Sequence, residues 1–217
     1  MPSNQGISFK KSAVSPDNSP IILPPFMVKH VSFEETIGIY DGTQSIIDST
    51  LTDIYELRNK YPESDGNSNY GGWQKQLGHE YIKSYPIKLI IEKEFREYIK
   101  YYAIKEPSWL EFIAFFCNIN PPGSSNTMHH HAMGEFSGAF WLQADKEAGD
   151  LIVMNPFYNR FLNTCAILQD NSCYNSKHFE PQVNKGVFFN SSLVHYVDIN
   201  RSQRDRVAIG YNIGIHY

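Results

Sequence analysis

Three of the chain's eight histidines stand consecutively in mid-sequence, at His129, His130 and His131. In extended backbone successive side chains point to opposite sides, so His129 and His131 share a face while His130 points away. Two imidazoles so placed can reach one metal ion, and neutral imidazole suits iron, copper, nickel and zinc. Taken alone, the same pair reads equally well as surface histidines on a polar loop. A third candidate ligand, His195, ends the run GVFFNSSLVH, where an apolar strand at 186–189 passes through a short connection. Eleven residues later comes Arg206.

From Arg206 the chain reads RVAIGYNIGI, a clean alternation. Val207, Ile209, Tyr211, Ile213 and Ile215 face one way, and Arg206, Ala208, Gly210, Asn212 and Gly214 face the other, by the period of two. The bulky side can pack. The small side, inside a barrel, leaves empty volume that begins at a guanidinium. A buried arginine requires an anionic partner, and a small anionic molecule in that space would meet both demands. The competing reading is a surface arginine paired with Asp205 or with solvent.

Other elements must position these residues. Ile47, Leu51, Ile54 and Arg58 fall at helical spacing, giving an amphipathic helix over 44–60. A second helix over 86–103 starts at Pro86, a favourable first position, and shows Ile87, Ile91, Phe95 and Tyr98 on one face. After Pro107 short apolar runs at 110–119, 136–142, 151–154, 186–189 and 207–215 are separated by Gly, Pro, Asn and Ser. Such runs imply a sandwich or barrel. The expected architecture is mainly β with N-terminal helices: a double-stranded β-helix, or jelly roll, of the cupin-like kind. Residues 1–20 are expected to form a flexible polar arm, and 21–217 a single domain with one or two strands near 21–40. The polar stretches at 62–73 and 155–182 are expected as loops at the barrel mouth.

Composition narrows the function. The formal charge of −4, with no Lys/Arg cluster, argues against nucleic acid as a partner. Three irregularly spaced cysteines fit neither a disulfide framework nor a zinc ribbon, and suit a reducing compartment. The N-terminus lacks a signal-like apolar core, and the stretch at 21–28 is too short and proline-broken to span a bilayer. A cytoplasmic protein with no membrane partner is expected.

Four segments together resemble the 2-oxoglutarate/Fe(II) oxygenases of marine bacteria and their phages, distant relatives of the prolyl hydroxylases. These are SNYGGWQ at 68–74, HHHAMGEFSGAFWL at 129–142, FNSSLVHYV at 189–197 and RVAIGYNI at 206–213, so that the resemblance covers about 66–213. The last three match HxH followed by Ser-Gly and a strand, FPSxxxHxV, and RxSxxFN, in order and spacing. The resemblance implies that His129 and His195 bind iron and that Arg206 grips the far carboxylate of 2-oxoglutarate. Asn212 and Trp141 become neighbours lining the co-substrate pocket. Three departures stand out. His131 occupies the slot where the wider superfamily carries Asp or Glu, Asn190 replaces a proline, and Ala208 replaces a serine.

The chemistry so implied is oxidative decarboxylation of 2-oxoglutarate to succinate, with O2 as oxidant, coupled to hydroxylation of a substrate C–H bond. Ascorbate would serve as reductant. The first shell expected is three imidazoles, from His129, His131 and His195, with Glu135 or Asp150 as the carboxylate alternatives to His131. The substrate class stays open between a peptidyl side chain and a small metabolite. Two other readings compete: a cupin-type three-histidine dioxygenase that does not use 2-oxoglutarate, and a non-catalytic jelly roll that binds metal or sugar.

Overall fold

The computed structural model describes residues 35–37, 43–78, 86–101, 104–156 and 176–217. The arm expected at 1–20, the strands expected within 21–34, and most of the loop expected at 155–182 lie outside the described residues. The unit Phe33–Tyr217 is one compact body.

In chain order its elements are β1 (Glu35–Ile37), α1 (Thr43–Lys60), β2 (Asn69–Tyr70), β3 (Trp73–Gln76), α2 (Pro86–Tyr101) and β4 (Trp109–Asn120). Then come β5 (Ser125–His129), β6 (Phe136–Gln143), β7 (Leu151–Met154), β8 (Ser176–Phe179), β9 (Gly186–Asn190), β10 (His195–Val197) and β11 (Arg206–His216). Six strands form one sheet in the order β1-β9-β6-β11-β4-β3, and five form the other, β2-β5-β10-β7-β8. The pairings are antiparallel throughout. Two antiparallel sheets with helices against one of them give the double-stranded β-helix architecture.

The expected loops are partly structured. β2 and β3 lie within or next to the stretch 62–73, and β8 lies within 155–182. None carries the apolar alternation by which the longer strands are recognised.

Each helix buries one stripe. Ile47, Thr50, Ile54 and Leu57 of α1, and Ile87, Ile91, Phe95, Tyr98 and Ile99 of α2, are buried at the three- and four-residue spacing of a helix face. All of these but Thr50 join Phe115, Cys117, Ile119, Phe140, Phe188 and the bulky side of β11 (Val207, Ile209, Tyr211, Ile213) in one apolar core. A smaller core between the sheets gathers Trp141, Leu151, Val153, Phe179, Val187, Phe189, Leu193 and Ala208. The alternation of β11 therefore separates a packed helical side from an inter-sheet side that is not filled.

Register fixes what lines that unfilled side. Opposite Ala208 stand Asn118 on β4 and Trp141 on β6, and Asn118 in turn faces Gln74 on β3. Opposite Gly210 stand Phe116 and Ala139, with Gln76 beyond Phe116. A Cβ at Gly210 would run into the Phe116 ring, so glycine here is what lets that ring lie over the sheet.

Candidate metal centre and its cavity

His129 and His195 face each other across the β5–β10 pair as direct register partners. Their rings lie 4.3 Å apart by centroid. His131 follows just past the end of β5, and its backbone N–H donates to the Ser191 carbonyl at 3.0 Å, which holds it against the connection before β10. Its ring lies 5.0 Å from that of His129 and 5.1 Å from that of His195. One ring nitrogen from each of the three lies within 4.8 Å of the others, an arrangement able to hold a metal ion. His130 is exposed, as alternation requires.

Hydrogen bonds decide which nitrogens are free. The Nδ1 of His129 meets the Thr127 carbonyl at 2.7 Å, and the Nδ1 of His195 meets the Leu193 carbonyl at 2.8 Å. A carbonyl only accepts, so each Nδ1 carries the proton and each Nε2 keeps its lone pair for a metal. Burial, reinforced by the neighbouring imidazoles, pushes His131 down to about 4. Burial likewise pushes His195 down to about 3, against a raising contribution from the Leu193 carbonyl. Burial also lowers His129. At neutral pH all three are uncharged, the state that ligates.

The carboxylates considered as alternatives are engaged elsewhere. Glu135 Oε2 accepts from the Ile215 backbone N–H at 2.9 Å, and Asp150 lies 3.6 Å from His178. Among the described residues the three histidines form the metal-competent group, and no carboxylate joins them.

A cavity between the sheets runs from these rings to Arg206, lined on the way by Trp141, Ala208 and Gly210. Arg206 is 3% exposed. One terminal nitrogen donates to the Gly149 carbonyl at 3.0 Å and the other to Asn126 Oδ1 at 3.3 Å, while Nε is buried without any partner. Burial lowers its pKa to about 10, which leaves the guanidinium charged. Asp205, the possible surface partner, instead accepts from the Tyr55 hydroxyl at 3.1 Å and lies 3.7 Å from Arg58. Arg206 lines this cavity, and a buried cation with no anionic partner among the described residues fits a small carboxylate there.

Trp141 lines this cavity, but Asn212 does not. Asn212 is buried at the other end of the small face, where its amide accepts from Ser137 Oγ at 2.8 Å and sits 3.1 Å from His131 Nδ1. Ser137, Ser191 and Asn126 complete the polar surroundings of the site. Ser137 and Ser191 hold the Ser-Gly and FPSxxxHxV positions of the resemblance, which gave them no role, and Asn126 stands in a polar segment that no local pattern marks.

A double-stranded β-helix holding three converging imidazoles next to a cavity lined by a buried guanidinium fits a metal centre beside a small anionic ligand. The comparison with known families agrees: residues 114–212 match the family model described as "Putative 2OG-Fe(II) oxygenase", a family of oxidoreductases that takes Fe(II) and 2-oxoglutarate. No curated protein sequence matches the chain. Solved structures share its fold. A Pseudomonas putida prolyl-4-hydroxylase is 12% identical, with a TM-score of 0.60 over 87% of this chain and 95% of that one. A viral collagen prolyl hydroxylase from Paramecium Bursaria Chlorella virus-1, in complex with 2OG, is 14% identical, with a TM-score of 0.52 over 87% and 99%. HygX from Streptomyces hygroscopicus, with nickel and 2-oxoglutarate bound, is 9% identical, with a TM-score of 0.56 over 85% and 83%. No helix among the described residues is long and apolar enough to cross a membrane.

Proposed function

We propose that His129, His131 and His195 hold the iron, that Arg206 binds the far carboxylate of 2-oxoglutarate, and that the enzyme hydroxylates a peptidyl side chain or a small metabolite. Held there, the iron would activate O2 as the oxidant, with 2-oxoglutarate giving up two electrons on cleavage to succinate and CO2 and the substrate C–H bond giving the other two. The chain's own residues bind, orient and exclude water. Thr127 and Leu193 carbonyls fix the tautomers of His129 and His195, so both present Nε2. Arg206 contributes charge-assisted hydrogen bonds that set the direction of a dicarboxylate in the cavity. Trp141 and Phe189 shield the site from water, Phe189 with its ring 4.8 Å from that of His195. Three neutral ligands leave a divalent ion's full charge in place, which favours a dianion beside it.

The observation that carries this reading is the charge of Arg206, buried in the same cavity as the histidine cluster with no anion beside it among the described residues. A three-histidine dioxygenase without 2-oxoglutarate, or a non-catalytic jelly roll, would leave that charge permanently unmatched. The test is succinate production by Fe(II)-loaded protein given 2-oxoglutarate and O2 but no substrate. Slow formation above that of heat-inactivated protein is expected. Its absence, with iron occupancy confirmed, would refute the reading. Hydroxylation of peptides against metabolites is then separated by substrate-dependent stimulation of the same signal.

A further inference from the structure

A second pocket adjoins the cavity, sharing Ser68, Phe116, His129 and His131 with it. Its remaining polar lining is dominated by carboxamides: Asn67, Gln74, Gln76 and Asn212. No Asp, Glu, Lys or Arg side chain lines it among the described residues.

Gln74 is distinctive within this lining. It is only 4% exposed, and its Oε1 is buried with no hydrogen-bond partner. The backbone that carries it is pinned. The Gln74 N–H donates to Ser64 Oγ at 3.0 Å, its carbonyl accepts from the Asp65 N–H at 2.8 Å, and the Gln76 N–H donates to Asp65 Oδ2 at 2.7 Å. These bonds also close the free edge of β3, so the strand cannot take up another strand there. Its glutamines are held towards the pocket, and a buried acceptor left unpaired is costly until a donor arrives.

We propose that this pocket is the substrate subsite and that it takes an uncharged group bearing an amide, whose N–H is received by Gln74. The inference rests on the oxygenase reading and names the substrate class for it. A carboxamide offers an acceptor and donors in one plane, which complements another amide. A carboxylate brought here would meet an unpaired acceptor and no cationic side chain among the described lining residues. An ammonium would approach a divalent metal site and the charge of Arg206. Neither cost falls on a neutral amide, whether it comes from a peptide backbone or from a small carboxamide.

The test uses the full chain loaded with Zn(II) and 2-oxoglutarate, which binds without turning over, with saturation-transfer NMR as the readout. The probes are N-acetyl amino-acid amides and doubly blocked neutral tripeptides, each with its matched free carboxylate. At least one amide is expected to bind about tenfold more tightly than its carboxylate, the order of one net hydrogen bond. Selective binding of the tripeptides assigns the amide to a peptide, and equal binding of single-residue amides assigns it to a small molecule. Gln74→Leu is expected to abolish the preference, and Gln74→Glu, which keeps an acceptor oxygen, to retain part of it. Unfolding midpoints near the native value show that the variants fold. Carboxylates binding as well as amides, a silent amide panel, or an unchanged preference in Gln74→Leu would overturn the proposal. Substrate-free succinate formation by the native Fe(II) protein, measured alongside, reports separately on the oxygenase reading.

Discussion

Asn212 and His131 meet through their side-chain nitrogens, Asn212 Nδ2 lying 3.1 Å from His131 Nδ1. In this orientation the amide donates, which puts the imidazole proton on Nε2 and leaves no lone pair there for a metal. The O and N of an asparagine amide are interchangeable by a half-turn. With the amide turned, Oδ1 accepts from His131 Nδ1–H and Nδ2 donates to Ser137 Oγ, which can donate on to Ser191 Oγ at 2.8 Å. The turned form gives all three histidines the same tautomer.

Asn212 is thus expected to act on the metal through His131 rather than on 2-oxoglutarate. Asn212→Leu should weaken metal affinity by about 10–100-fold, as loss of such supporting hydrogen bonds does elsewhere. Asn212→Asp, which keeps an acceptor for Nδ1–H, should restore most of it. Titration with Co(II), followed by its visible spectrum, measures both. Equal affinity in all three proteins would show that Asn212 plays no part in orienting His131.

Arg206→Met is expected to separate stability from binding. Its guanidinium is buried without an anion, so an apolar replacement should leave the ligand-free fold at least as stable as the native one. The same change should weaken 2-oxoglutarate by a factor of about 30 or more, corresponding to about 2–5 kcal/mol for a buried charge pair. Thermal unfolding reads both effects. Added 2-oxoglutarate should raise the midpoint of the native metal-loaded protein and barely move that of the variant.

The histidine cluster sets a pH dependence on the metal-free protein. His131 and His195 have folded-state values of about 4 and about 3. In the unfolded chain a histidine takes its proton near pH 6.5. Between these limits the unfolded state binds more protons, so stability is fully present above about 6.5 and declines as pH falls towards 4. Urea unfolding at pH 7.5 and pH 5 should show the loss, and His195→Gln should reduce it. Bound Zn(II) should oppose it, since the ion competes with the protons. A flat profile in the metal-free native protein would contradict the burial of these rings.

Gly138 stands in the strand face packed against Tyr211, whose hydroxyl donates to the Val187 carbonyl at 2.9 Å. A Cβ there would collide with both that carbonyl and the tyrosine ring. Gly138→Ala should therefore destabilise the fold by about 1–3 kcal/mol, the usual cost of overpacking. Chemical denaturation is the check. A change within about 0.5 kcal/mol, the scale of a neutral surface substitution, would mean that the strands part more easily than the packing suggests.

What could be read from sequence depended on periodicity. The helices at 44–60 and 86–103 are seen at Thr43–Lys60 and Pro86–Tyr101, and β11 spans Arg206–His216 with its two faces sorted by size. The alternation that exposed Arg206 as a cavity residue worked because its strand is long and one side is nearly all β-branched or aromatic. β5, SNTMH, and β8, SKHF, are short and polar, so nothing marks them as strands until a partner is found. Gln74 stayed hidden for a related reason: it acquires meaning only through its register with Asn118 on β4, which no local pattern encodes. Asn212 shares the face of Arg206 but lines the adjoining pocket rather than the cavity, because alternation gives the side of a strand and not which end serves which ligand.

The most direct measurement of the central claim is anaerobic addition of 2-oxoglutarate to the Fe(II)-loaded native chain and to Arg206→Ala, followed by visible absorption. A charge-transfer band that saturates with 2-oxoglutarate in the native protein is expected, shifted to concentrations about 30-fold or more higher in the variant while iron content stays the same. No band in the native protein at full iron occupancy, or the same concentration dependence in both, would contradict the account.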